Sequence, residues 1–173
     1  ITQTKRGELV SGTTSIEIDD IEVSYDDGDD NDEGHNAAPR MAFRGWTRDS
    51  ENTGLNAVIE ESPIVISDTT NLYPVFVSIN WLSFDSGPVG SGATYFSPKF
   101  YYVDEYETKL SVPERDGYTF DGWYTEETGG VKITNNNGNV LNSAAVSFAD
   151  NHMKIENGKL YFDADVALHS HWT

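Results

Sequence analysis

The stretch that decides the fold is Arg115-Asp116-Gly117-Tyr118-Thr119-Phe120-Asp121-Gly122-Trp123-Tyr124-Thr125. The Asp-Gly pair near its start predicts a turn, and the aromatic residues that follow are typical of a half-buried strand. Gly122, directly before the tryptophan, indicates a bulge or a point where another backbone comes close. We therefore predict a short aromatic strand and expect Tyr118, Phe120, Gly122 and Trp123 to be core residues of the fold.

A similar pattern occurs earlier in the chain. Phe43-Arg44-Gly45-Trp46-Thr47 corresponds to Phe120-Asp121-Gly122-Trp123-Tyr124, and residues 71–76 correspond to residues 166–172. Each copy has Phe-x-Gly-Trp, then a variable polar stretch, then an alternating apolar segment that ends on an aromatic residue. Self-similarity of this kind indicates an internal duplication, so we expect Phe43, Gly45 and Trp46 to form the equivalent core of the first copy.

These residues resemble the Listeria–Bacteroides repeat, the B-repeat of internalin-type surface proteins. The family pattern is a Gly-Tyr-Thr-Phe-x-Gly-Trp-Tyr core, then Gly-Gly, then a closing Leu-Tyr-Ala-x-Trp strand. The second half follows this pattern at residues 117–123, 128–130 and 168–172, with His169 in place of the usual tyrosine. The first half follows it at Phe43-x-Gly45-Trp46 and at residues 72–76, and has residues 39–42 in place of Gly-Tyr-Thr.

The resemblance implies β-grasp-like modules, each a curled sheet like that of ubiquitin, whereas composition alone leaves small sandwiches and barrels open. We predict a mainly β protein, α+β at most, built from two tandem β-grasp-like repeat modules. Residues 1–76 are the divergent first module, and residues 77–173 are the second module with a longer insertion. The short connection at Phe76-Val77 would limit bending between the modules.

Local patterns place further elements along the chain. Alternating apolar residues predict strands at residues 77–84 and 166–172, and an apolar run predicts another at residues 72–76. Residues 153–162 have the pattern of a hairpin with Asn157-Gly158 at its turn. Residues 142–150 are the only fair candidate for a helix.

The composition limits the classes of protein and partner. The formal net charge is −18, and the 173 residues include no cysteine. The acidity makes nucleic acid and anionic membranes poor partners, and the lack of thiols excludes disulfides and cysteine-ligated zinc. No apolar run reaches the roughly 18–20 residues that a spanning helix needs, so we predict no membrane insertion in this fragment. The chain starts at Ile1 without a signal-peptide pattern, and we expect it to be part of a longer exported protein.

Residues 26–36 form an acidic segment with six carboxylates. A block of like charges is typical of a solvated loop. Asp29-x-Asn31-x-Glu33-Gly34 nevertheless starts like an EF-hand calcium loop, although Arg40 stands where the bidentate glutamate belongs. We predict no cofactor, and calcium is the open alternative, with Asp29, Asn31 and Glu33 as its candidate ligands.

The sequence carries no persuasive catalytic constellation. His169 and His171 alternate on one predicted strand and would share a face, but a metal site would need a third ligand. A phosphate-binding loop after a strand and a Gly-x-Ser-x-Gly elbow are both missing. The four tryptophans could stack on sugar rings if they were exposed, although we expect Trp46 and Trp123 to fill the core.

We therefore predict a non-catalytic repeat region of an exported bacterial cell-surface protein, which acts as a spacer, as an adhesion module or as both. Its location would be extracellular, and its partner would be a protein or glycan on another cell surface. The alternative is a glycan- or calcium-binding module of a secreted protein. An enzyme domain would need a polar cleft with convergent histidine and carboxylate groups, and the sequence offers none.

Overall fold

The computed structural model describes residues 15–16, 40–65 and 70–173. Within them the protein is mainly β, as predicted from the sequence. The chain divides into two compact units, Ile1–Val77 and Ser78–Thr173. The elements in chain order are β1 (Ser15–Ile16), β2 (Met41–Thr47), β3 (Ile64–Val65), β4 (Tyr73–Asp85), β5 (Lys99–Tyr102), β6 (Phe120–Tyr124), α1 (Phe148–Asn151), β7 (Met153–Glu156), β8 (Lys159–Phe162) and β9 (Val166–Trp172).

Strand β4 differs from the prediction. The sequence pattern separates a strand at residues 72–76 from another at residues 77–84, but the structure has one continuous strand of 13 residues. Its first residues belong to the first unit and the rest to the second, because the boundary falls between Val77 and Ser78. Pro74 does not end the strand, because it lies near the start, where a missing N–H disturbs the ladder least.

The first unit contains two pairs of strands within its described part. Strands β1 and β3 are antiparallel, with Ser15 opposite Val65 and Ile16 opposite Ile64. Strand β2 is hydrogen-bonded to β4. Val75 and Val77 of β4 are buried, as the period-2 alternation of a strand with one covered face requires.

The second unit is built on a mixed sheet. Strand β4 pairs antiparallel with β5, from Ile79↔Tyr102 to Leu82↔Lys99. It also pairs parallel with β9, from Leu82↔Val166 to Asp85↔His169. Strand β9 pairs antiparallel with β6, and the register shifts between Phe120 and Gly122.

The core of the second unit lies against this sheet and the β7–β8 hairpin. Burying a large apolar side chain contributes roughly 1.5–3 kcal/mol, so this cluster supplies much of the driving force for folding. Its fully or almost fully buried members are Leu82, Tyr101, Leu110, Phe120, Trp123, Ile133, Met153, Leu160, Phe162 and Leu168.

The hairpin predicted at residues 153–162 is confirmed. Strands β7 and β8 pair antiparallel, from Met153↔Phe162 to Glu156↔Lys159. The helix predicted at residues 142–150 is mostly wrong, because α1 covers only Phe148–Asn151, after the N-cap Ser147. The Asn142 side chain instead accepts a hydrogen bond from the Gly158 N–H at 3.0 Å, so the start of the predicted helix supports the hairpin turn.

Candidate functional site

The Phe-x-Gly-Trp stretch of β6 is hydrogen-bonded to several other segments of the second unit. The Trp123 side chain is 0% exposed. Its backbone N–H donates to Thr134 Oγ1 at 3.0 Å, and its indole Nε1–H donates to the Ser111 carbonyl at 2.8 Å. Its own carbonyl accepts from the Ile133 N–H at 2.7 Å. All of these groups of Trp123 are therefore used to hold neighbouring chain segments together.

Gly122 allows the segment of residues 131–134 to approach β6. A Cβ atom at position 122 would overlap the backbone oxygen of Thr134. The sequence predicted either a bulge or a close backbone approach at this glycine, and both are present, since the strand register also shifts here. A backbone oxygen cannot move aside as a flexible side chain can, so the position needs glycine.

The first unit has a similar arrangement around Phe43-x-Gly45-Trp46, with a side chain instead of backbone next to the glycine. A Cβ atom at Gly45 would overlap Cγ2 of Ile59, and the Trp46 carbonyl accepts from the Glu60 N–H at 2.8 Å. A later segment thus closes on the Gly-Trp pair in both units.

The aromatic rings repeat this correspondence. The ring centroids of Phe43 and Trp46 are 5.6 Å apart at 72°, and those of Phe120 and Trp123 are 5.6 Å apart at 66°. The third ring of each group also corresponds: Phe43–Phe76 is 5.9 Å at 60°, and Phe120–Trp172 is 5.7 Å at 67°. The two groups differ in burial, because Phe43 and Trp46 are half-buried whereas Trp123 is fully buried.

Tyr118 departs from the prediction that it is a core residue. Its side chain is 51% exposed, and the Arg115 guanidinium lies 3.9 Å from the centre of its ring. Tyr118 is exposed because it belongs to the turn before β6. Its N–H donates to the Arg115 carbonyl at 3.1 Å and completes that turn. The strand alternation that buries Phe120 begins only after this turn.

An open groove of about 330 Å³ lies beside this turn. The exposed Tyr118 ring, the half-buried Trp172 ring and several polar groups line the groove. The Arg115 guanidinium covers one face of the Tyr118 ring. The lining of the groove includes Pro113, Glu114, Arg115, Tyr118, Asn136 and Trp172.

A polar cluster on the second unit brings together Asp121, Tyr124, Lys132 and His171. Lys132 Nζ lies 2.7 Å from Asp121 Oδ1, and the Tyr124 hydroxyl donates to Asp121 Oδ2 at 2.5 Å. The Tyr124 ring stacks on His171, with centroids 3.7 Å apart and planes within 7°.

The contacts within this cluster shift the pKa values of its three ionisable groups. The hydrogen bond from Lys132, and then that from Tyr124, lowers the pKa of Asp121. The hydrogen bond to Asp121 raises the pKa of Lys132. Burial, and then the hydrogen bond to Asp121, raises the pKa of Tyr124. The lowered pKa of Asp121 and the raised pKa of Lys132 both favour the charged forms of these side chains, so the cluster is arranged as a hydrogen-bonded ion pair on the second unit.

The histidine pair of β9 is divided between two sets of partners. His169 Nδ1 lies 3.1 Å from Asp85 Oδ2, whereas His171 Nε2 lies 3.0 Å from the Glu126 carbonyl oxygen. Among the described residues, no three histidine, aspartate or glutamate side chains are grouped so that they could hold a metal ion. The candidate calcium ligands Asp29, Asn31 and Glu33 lie outside the described residues.

Thr134 is the residue of this region that the sequence analysis missed. It is a fully buried polar residue, and its hydroxyl oxygen accepts the Trp123 N–H. The available signal was the alternation in Val131-Lys132-Ile133-Thr134, which is typical of a short strand-like segment but does not indicate its partner.

Comparison with known families places this geometry in context. Residues 82–161 match the model of the Listeria-Bacteroides repeat domain, so the resemblance predicted from the sequence is confirmed for this stretch. The match runs from β4 to β8 and includes the Gly122-Trp123 pair. The family is typically non-catalytic and is associated with surface or extracellular proteins. No curated protein and no solved structure matches the chain significantly.

One further observation concerns the membrane. Within the described residues, no helix has the length and apolar character that crossing a bilayer requires.

Proposed function

We propose that the chain is a non-catalytic repeat region of an exported bacterial surface protein, made of two tandem β-grasp-like modules and acting as a spacer. The observation that carries the proposal is the internal use of the family motif. Gly122 and Trp123 hold residues 131–134 against β6 through close packing and two hydrogen bonds of the Trp123 backbone. The Trp123 indole N–H donates to the Ser111 carbonyl and so holds a further segment. A motif whose groups are used in contacts within the fold supports a structural role rather than a catalytic one.

The surface charge supports the same role. A net charge of −18 keeps copies of the chain apart from one another and from other acidic surfaces. This property suits a segment that must stay extended into solvent. The proposal includes no resident cofactor, no nucleic-acid partner and no membrane insertion of this fragment.

A display assay tests the spacer function. The chain is placed between a wall anchor and a peptide epitope on a Gram-positive cell, and capture of antibody-coated beads is measured. We expect higher capture than for the epitope fused directly to the anchor, at equal epitope number per cell. Equal capture with and without the chain would reject the spacer function.

A glycan-binding role is the second candidate, and one observation favours it. Trp81, Phe100 and Tyr102 form a row of aromatic side chains on paired strands β4 and β5, with centroids 5.7 and 5.8 Å apart. Phe100 is 43% exposed, and exposed aromatic rings can stack on sugars. The rings meet edge to face, at 73° and 81°, so the row offers separate rings rather than one flat platform.

The two candidates are separated by measuring binding directly. Beads coated with the chain are incubated with a panel of bacterial and host glycans, alongside beads coated with a Phe100→Ala variant. A spacer gives no binding with either form. Binding by the unchanged chain that Phe100→Ala abolishes would establish the glycan-binding role instead.

A further inference from the structure

The first and the last strand of the second unit are hydrogen-bonded directly to each other. The unit begins at Ser78 within β4, and β9 ends at Trp172. The two strands are parallel, with four residue pairs from Leu82↔Val166 to Asp85↔His169. The start of β4 and the end of β9 therefore lie beyond opposite ends of the paired region.

This topology determines how the pair responds to a pulling force. Pulling Ser78 and Thr173 apart moves the two strands along their axes in opposite directions. All inter-strand hydrogen bonds of the parallel pair are then strained together, in shear. When an antiparallel pair is pulled at two neighbouring chain ends, the force acts across the strands and along their hydrogen bonds. The bonds then open one after another from that end.

Side chains reinforce the β4–β9 pair at both of its ends. At one end, Asp165, directly before β9, accepts the Trp81 N–H on Oδ1 at 3.0 Å. The Asn80 side-chain amide also donates to the carbonyl of Phe162, the last residue of β8, at 3.0 Å. At the other end, Asp85 of β4 lies 3.1 Å from His169 of β9. All three bonds join residues more than 80 positions apart, so they hold β4 to β9 and to the segment that leads into it.

One face of the pair is shielded from water. Leu82 in the first residue pair and Leu168 in the third are both 0% exposed. Hydrogen bonds break under load more readily where water can replace them, so burial of this region makes the ladder harder to open.

We propose that the β4–β9 pair is a mechanical clamp that lets the second unit carry tension between Ser78 and Thr173 without unfolding. The inference deepens the proposed spacer function and rests on it for biological use, because only a tethered chain experiences such tension. The mechanical property itself is measured independently of any spacer assay.

The lack of cysteine in the chain makes a direct test simple. The full chain receives Ser78→Cys and Thr173→Cys as attachment points for DNA handles, and its unfolding force is measured by optical tweezers. The matched control carries Thr119→Cys and Thr173→Cys. Thr119 and Thr173 exchange backbone hydrogen bonds at the open end of the antiparallel β6–β9 pair, so these handles peel the strands apart.

We expect the 78/173 handles to require at least about twice the unfolding force of the 119/173 handles at the same loading rate, since shear loads the bonds together. Asp165→Ala should lower the 78/173 force and leave the 119/173 force unchanged. Asp163→Ala is its matched control, because Asp163 is an exposed neighbour whose carboxylate is bonded to His152.

Equal or lower force for the 78/173 handles would overturn the clamp. An Asp165→Ala effect that is no larger than that of Asp163→Ala would overturn the role of the side-chain ties. Circular dichroism of each variant establishes folding first, and the comparison of handle positions decides the question even if Asp165→Ala fails to fold. A weak clamp together with increased bead capture would reject this inference alone, whereas a strong clamp without increased capture would reject only the spacer function.

Discussion

The backbone oxygen of Thr134 lies where a Cβ atom on residue 122 would have to be, which is why Gly122 precedes Trp123. This close approach brings the Thr134 hydroxyl to the Trp123 N–H at 3.0 Å. It also brings the Ile133 N–H to the Trp123 carbonyl at 2.7 Å. One glycine thus permits the two hydrogen bonds that join residues 133 and 134 to β6.

Gly122→Ala should destabilise the second unit by about 1–3 kcal/mol or more, because overpacking against backbone cannot be relieved by a side-chain rotation. The measurement is the midpoint of urea unfolding, which is monitored by tryptophan fluorescence. Gly54→Ala is the control, since a Cβ atom at Gly54 would have no other atom within 4 Å and the backbone there is not strained. An equal shift for both variants would contradict the close approach.

Thr134→Val should cost about 1–3 kcal/mol, because it keeps the shape of the residue but leaves the buried Trp123 N–H without its acceptor. Thr134→Ser keeps the hydroxyl and loses one methyl group, so it should cost about 1 kcal/mol. Urea unfolding of the two variants compares the hydrogen bond with the packing. A smaller loss for valine than for serine would show that the hydrogen bond is unimportant.

Tyr101 should make stability fall at high pH. Burial, followed by the hydrogen bond to Glu107 at 2.9 Å, raises the pKa of the Tyr101 hydroxyl. The folded state therefore keeps this proton at pH values where the unfolded chain, with a tyrosine pKa of about 10, releases it. The contribution is complete below pH of about 10 and is lost as pH rises towards the folded pKa.

The check is the urea midpoint of the unchanged chain and of Tyr101→Phe between pH of about 8 and pH of about 12. The unchanged chain should lose more stability above pH of about 10 than the phenylalanine variant, because all other titrating groups are common to both. Parallel curves for the two proteins would mean that Tyr101 ionises as freely in the folded state as in the unfolded one.

Much of the fold follows from local sequence signals. The β6 strand, the Asn157-Gly158 hairpin and β9 were predicted because their signals lie within a few residues. The parallel β4–β9 pair was not predicted, because it joins residues more than 80 positions apart and no local pattern specifies a partner. The continuous β4 was missed because the predicted module boundary at Phe76-Val77 separated two apolar segments that the structure joins in one strand.

The residues of the candidate site were also predicted only in part. Trp123 and Gly122 were identified from residue type and spacing alone. The exposure of Tyr118 was not predicted, because the turn before β6 shifts the point at which the strand alternation begins. Thr134 was missed because its value depends on the Trp123 N–H, which only the folded chain brings to it.

Calcium should not bind the acidic segment specifically, because like charges at residues 26–36 favour a solvated loop. Calorimetric titration with millimolar calcium should give the same small heats for the unchanged chain and for the Asp29→Ala and Glu33→Ala variants. Saturable heat that either substitution abolishes would establish a calcium site and favour the alternative function.

The central claim is that Gly45-Trp46 and Gly122-Trp123 have the same structural role, which is to hold a later segment of their own unit by a hydrogen bond to the tryptophan carbonyl. Amide hydrogen exchange by NMR tests it directly on the Glu60 N–H, bonded to Trp46, and the Ile133 N–H, bonded to Trp123. We expect both amides to exchange at least about 100-fold more slowly than free amides. Gly45→Ala should remove protection at Glu60 alone, and Gly122→Ala at Ile133 alone. Free exchange at Glu60 in the unchanged chain would contradict the claim.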